Sequence, residues 1–193
     1  MAIRLELNSS LAPPLPLRRF TVAQYHQLGD LGLLMPEDNV ELLEGWIVEK
    51  MNQRPIHGFI VGLVAEILHR KVSAGSILRC QLPITTERSE PEPDIAVVRG
   101  AHADYRERHP GGSDCQLVIE VADTSLEKDR SKAAIYREAG VAKYWIINVN
   151  EKVLEKYDFS KADSEPEFYP CSSTIETEIG DSVIALDLKQ LFS

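Results

Sequence analysis

The chain of 193 residues, 44% apolar and 26% charged, suits a globular protein with a sizeable core; it has no apolar run of membrane-spanning length and no signal-peptide pattern, which points to the cytoplasm. Its 30 acidic residues against 21 basic ones leave a net charge of −9, which counts against a protein that grips nucleic acid through a broad basic face. Any such role must rest on a local basic patch, on metal ions or on weak binding, and the three widely spaced cysteines, Cys80, Cys115 and Cys171, form no metal-binding pair.

Residues 1–19 are rich in proline and leucine and predict an extended arm, because proline removes backbone donors. Residues 20–193 read as one domain, without an internal repeat or a linker. Thr21 is suited to cap a short helix over 22–28, and residues 40–50 predict a β-hairpin with its turn at Glu44-Gly45. Glu44 is then either a solvated turn residue or a carboxylate brought back over a sheet. Pro55 opens an amphipathic helix to about residue 72, with Ile56, Phe59, Ile60, Leu63, Val64, Ile67 and Leu68 on its apolar face. His57 stands one position from that stripe, where a histidine near a phosphate site could donate to it. A strand is expected over 77–84; its Gln81 offers a neutral amide to water or to a metal-bound water. Pro93-Asp94 precedes the buried-type strand 95–98, so Asp94 is fixed at a strand's beginning beside a rigid ring. Residues 99–114, with Gly100, Pro110, Gly111 and Gly112, read as an exposed, mobile loop.

The stretch 117–132 is the most informative in the chain. Leu-Val-Ile-Glu-Val, residues 117–121, reads as a strand buried on both faces, yet it contains Glu120. A carboxylate there is costly to desolvate unless a cation or several donors meet it. Thr124 or Ser125 then caps a helix over 126–139 that carries Lys132 and ends at Gly140. Residues 143–149 form another apolar strand, so the unit is a βαβ crossover with a parallel pair. Short strands follow near 153–159, 167–171, 174–178 and 182–186, with a helical tail at 188–192.

Taken in order, Pro93-Asp94-Ile-Ala-Val-Val, the 117–126 stretch, Asp129-Arg-Ser-Lys132 and 136–147 closely resemble the family of putative restriction endonucleases within the PD-(D/E)XK nuclease superfamily. Glu41-Leu-Leu-Glu-Gly-Trp-Ile-Val48, His57-Gly58 and Gly180-Asp-Ser-Val fit the same pattern, and the likeness runs from about residue 20 to the C-terminus. The resemblance implies an α/β (α+β) fold, a mixed central sheet flanked by helices, with the N-terminal hairpin and short C-terminal strands added. It implies an Mg²⁺- or Mn²⁺-dependent endonuclease that hydrolyses DNA phosphodiesters, with Asp94 and Glu120 as metal-binding acids. Ala122 occupies the place where many members carry the lysine, which makes Lys132 the candidate catalytic lysine. Glu44 resembles an additional catalytic acid from an early element, with His57 and Gln81 as auxiliaries. Duplex cutting also implies a homodimer.

Oxygen ligands suit these cations, which lower the pKa of bound water and offset charge on the phosphate. Asp94 and Glu120 are accordingly expected to be partly exposed, their mutual repulsion raising at least one pKa. Lys132→Ala is expected to remove cleavage while leaving folding intact. Two further readings share the fold: a binding or assembly module with lost catalysis, which the acidic balance and displaced lysine favour, and a nuclease acting on RNA.

Overall fold

The computed structural model describes residues 17–161 and 165–192; the proline-rich arm, apart from residues 17–19, lies outside them. Helix α1 (Val22–Asp30) opens with a capping box: the Thr21 hydroxyl accepts from Gln24 N–H, and the Gln24 side chain accepts from Thr21 N–H. Strands β1 (Val40–Leu43) and β2 (Trp46–Glu49) form an antiparallel hairpin. Glu44 and Gly45 at its turn have φ of 49° and 80°, the left-handed pair that a two-residue hairpin turn requires. Helix α2 (Pro55–Lys71) starts on proline, whose missing N–H costs nothing in a first turn. Its buried stripe is His57, Ile60, Val61, Val64 and Leu68. That rotates Ile56 and Phe59, expected on the apolar face, out to exposures of 40% and 52%.

The central sheet holds β3 (Ser76–Cys80), β4 (Ile95–Arg99), β5 (Cys115–Ala122), β6 (Lys143–Asn148), β7 (Val153–Asp158) and β8 (Glu167–Pro170), side by side in that order. Every neighbouring pair is antiparallel except β5 and β6, which α3 (Leu126–Glu138) joins as a parallel pair. The mixed α+β sheet predicted by the family likeness is therefore present. Strands β9 (Thr174–Ile179) and β10 (Ser182–Asp187) pair with each other, and the short α4 (Lys189–Phe192) follows.

β5 is buried along all eight residues and separates two apolar layers. Leu117, Ile119 and Val121 face α2, β9, β10 and α4; Cys115, Val118 and Ala122 face α3 with Tyr136, Tyr144 and Ile146. Three expectations need correction. The strand expected over 77–84 stops at Cys80, because Gln81 turns left-handed at φ 50° and donates its N–H to the carbonyls of Pro93 and Asp94. The chain then runs over the sheet, burying Ile84 and pairing Leu42 with Glu90. The stretch 99–114 is not a featureless loop: two 3-10 turns, His102–Tyr105 and Gly112–Asp114, fold it, and Gly112 packs tightly on Ala139 at the end of α3. Ser125 does occupy the N-cap of α3, but its hydroxyl donates to the Asp129 carboxylate instead of receiving a backbone N–H.

Candidate active site

Two adjacent strands deliver the first carboxylates. Ile95 pairs with Ile119, so Asp94, one residue ahead of β4, meets Glu120 of β5. The Asp94 N–H donates to Glu120 Oε2 at 3.2 Å, and Val121 N–H donates to Asp94 Oδ2 at 2.8 Å. Glu120 has the same strand parity as Val118 and Ala122, so it leaves β5 on the face covered by α3. There Lys132 Nζ stands 3.0 Å from Glu120 Oε1, and the Tyr136 hydroxyl donates to the same oxygen at 3.1 Å. Lys132 and Tyr136 lie one helical turn apart, on the buried stripe of α3 that also carries Asp129 and Ile135. Ala122 is fully buried against the same face, which explains how the ammonium reaches Glu120 from the helix and not from the strand.

The early acid of the cluster is Glu41, not Glu44. Glu44 occupies the hairpin turn, where its carboxylate pairs with Arg88 at 3.0 Å and Arg19 at 4.0 Å, away from Asp94 and Glu120. Glu41, fully buried in β1, holds Lys132 at 3.0 Å and Lys128 at 3.0 Å, and accepts the Glu92 N–H. Its signal was the same as that of Glu120: a carboxylate embedded in an apolar strand, here Val-Glu-Leu-Leu. Other charged residues complete the surround. His57 Nε2 lies 3.1 Å from Asp94 Oδ2, and Arg54 forms a two-pronged ion pair with buried Asp123. Asp129 is buried 4.0 Å from Lys132. Arg130 turns away to Glu155. Gln81 is exposed, beside the cluster and not in it.

Asp94 and Glu120 are 7% and 4% exposed, so the expectation of partly exposed acids is wrong. α3, the hairpin and residues 81–93 close over them. Burial raises Glu120 above the ordinary carboxylate range; Lys132 opposes that shift, and Asp129, Asp94 and Glu41 add to it. Desolvation, ahead of mutual repulsion, is therefore the main cause. Burial likewise pushes Asp129 up to about 6. Glu41 moves the other way: burial works against its charge, but Lys132 and Lys128 outweigh it. Burial also works against a charged Lys132, yet Glu120, Glu41 and Asp129 hold it above its usual value. His57 is raised in spite of its burial by the bond to Asp94.

The cleft over these groups encloses about 60 Å³, enough for an ion with a few waters. Among the described residues no three His, Cys, Asp or Glu side chains surround one point at ligand spacing. The oxygen donors of Asp94 and Glu120 nonetheless suit a hard divalent cation, since magnesium takes one or two carboxylates and fills its remaining positions with water and phosphate. Negative charge also exceeds positive here: five buried carboxylates (Glu41, Asp94, Glu120, Asp123 and Asp129) face the one buried ammonium of Lys132, with Lys128 and Arg54 pairing from nearer the surface.

Comparisons with known proteins bear on the family and the fold. The sequence pattern of Uma2, described as putative restriction endonuclease, matches residues 22–182. The fold is similar to a crystal structure of a putative nuclease belonging to DUF820 from Anabaena variabilis, with a TM-score of 0.68 and 19% identity over 84% of this chain and 94% of that one. No curated protein matches. No helix among the described residues is long and apolar enough to cross a membrane.

Proposed function

Since this chain belongs to the Uma2 family of putative restriction endonucleases, we propose that it hydrolyses DNA phosphodiester bonds with Mg²⁺ or Mn²⁺ held by Asp94 and Glu120. The observation that carries this reading is the excess of buried carboxylates around Lys132: burial raises Glu120, the neighbouring acids add to that shift, and a divalent cation would relieve both. Bound there, the cation supplies a more acidic water and charge for the phosphate oxygens.

The chain's own residues do the rest. Lys132 orients the attacking water and stabilises charge on the phosphate. Glu41 takes the place of the additional catalytic acid expected at Glu44, fixing the Lys132 ammonium together with Glu120. His57 and the Val121 N–H hold Asp94 Oδ2 in place, so the acid is ordered before substrate arrives. The test is nicking of supercoiled plasmid in Mg²⁺, Mn²⁺ or EDTA. Wild type cuts with either metal; Asp94→Ala and EDTA abolish cutting. Cleavage that persists in Asp94→Ala refutes the assignment.

Many duplex-cutting nucleases bring two such clusters together, so the same reading includes a homodimer. The edge strand β8, with Phe168 59% exposed, offers a pairing surface. Light scattering that returns only monomer at micromolar concentration counts against it.

A further inference from the structure

We infer that a wider groove, continuous with the cleft of the acid cluster, reads the edge of a nucleobase flanking the scissile phosphate. The inference rests on the nuclease reading for its substrate class and goes beyond it in assigning a recognition site. The groove encloses about 430 Å³ and is lined by Asn39, Lys50, Met51, Asn52, Gln53, Gln81, Glu92 and Asp94. The cleft over the carboxylates encloses about 60 Å³ and shares six of those eight residues, all but Asn39 and Gln81, so the two spaces are continuous. The smaller space takes an ion and waters; the larger lies in the range of organic-ligand pockets. Asp94 borders both, so a strand whose phosphate sits over Asp94 places its neighbouring nucleotide in the groove.

The lining has the chemistry of a base and not of a phosphate. Its only cation, Lys50, is neutralised by Glu92 at 2.8 Å. Asn39 is engaged with the Lys50 carbonyl. The carboxamides of Asn52, Gln53 and Gln81 are exposed, and among the described residues no hydrogen bond occupies them. A free carboxamide offers a donor and an acceptor side by side, the pair that matches base edges. Met51, 48% exposed, adds a polarizable apolar surface for a ring face. Gln81 is also one of the non-glycine residues at positive φ, an uncommon backbone state that aims its side chain from the end of β3.

The test separates base reading from cutting. Fluorescent single-stranded 12-mers of each base are titrated by polarisation in Ca²⁺, which screens the carboxylates. Wild type should bind the four with affinities spread by about five-fold or more, the lower end of what one bidentate base contact discriminates. The triple variant Asn52→Ala, Gln53→Ala, Gln81→Gly should compress the spread below about two-fold; glycine suits the positive φ at 81. All three sites are exposed, so folding should survive, and an unchanged melting temperature checks it. An equal spread in the variant, or no spread in wild type, overturns the proposal. Plasmid nicking by the same proteins reports separately on the nuclease reading: failure there with a base-dependent spread here removes the activity and keeps the groove.

Discussion

Glu120 ties the chemistry of the cluster to the stability of the whole chain. Its folded pKa is raised above the ordinary carboxylate value, so between about pH 5 and 8 the folded state binds more protons than the unfolded one. Stability contributed by this group is present at low pH and lost as pH rises; Asp129 and His57, also raised, act in the same direction. In EDTA the melting temperature should fall from pH 5 to pH 8, and Glu120→Gln should flatten that fall. Added Mg²⁺ should raise melting more at pH 8 than at pH 6, since it competes with protons for the same oxygens. Equal shifts at both pH values would remove Glu120 from the metal site. Lys132 is 2% exposed, so the expectation that its alanine variant folds normally does not survive. Removing the ammonium strands Glu120 without a counterion and leaves Glu41 with Lys128 alone, at a cost of about 3–5 kcal/mol in urea unfolding. Adding Glu120→Gln to Lys132→Ala should recover part of that loss, which a simple cavity would not allow.

At the scale of elements, α3 is set by its far end as well as by its cap. A Cβ on Gly112 would lie 2.3 Å from the Ala139 carbonyl oxygen and 2.4 Å from Ala139 Cβ. Gly112→Ala should therefore cost about 1–3 kcal/mol, the usual range for overpacking, and lower the urea midpoint without touching any charged side chain of the cluster. The apolar stripe of α2, the cap and terminating glycine of α3, the proline before β4 and the apolar runs of β5 and β6 made the order of elements legible in the sequence. The likeness of those segments to the nuclease family supplied the sheet's architecture. What periodicity could not reveal was the path of residues 81–93 over the sheet, because polar turn residues give no sign of which face they will cover. The same limit hid the choice between Glu41 and Glu44. Both flank apolar residues, and only the register of the hairpin turns one towards α3 and the other towards Arg88. The sequence assigned no role to Asp123 or Asp129; only the fold brings Arg54 to the first and Lys132 near the second.

On the scale of the whole molecule, a net charge of −9 sets how nucleic acid can be held. The cations near the cluster, Lys50, Arg54, Lys128 and Lys132, are all paired with carboxylates. Few counterions are then released on binding, and each phosphate contact contributes about −0.9 to the slope of log affinity against log salt. Duplex binding in Ca²⁺ should give a slope shallower than about −3; a steep slope would reveal a basic face elsewhere. The cluster is also held by elements of unequal depth. Asp94 and Glu120 belong to strands hydrogen-bonded within the six-stranded sheet, whereas Glu41 rides on a two-stranded hairpin joined to the body by Leu42–Glu90 and a few loop contacts. In native-state hydrogen exchange the amides of β4 and β5 should exchange only through global unfolding, and those of β1 and β2 through a cheaper, local opening. Each such opening releases Glu41 from Lys132 while Glu120 and Asp129 stay in place, so the ammonium passes to those two on the timescale of hairpin breathing.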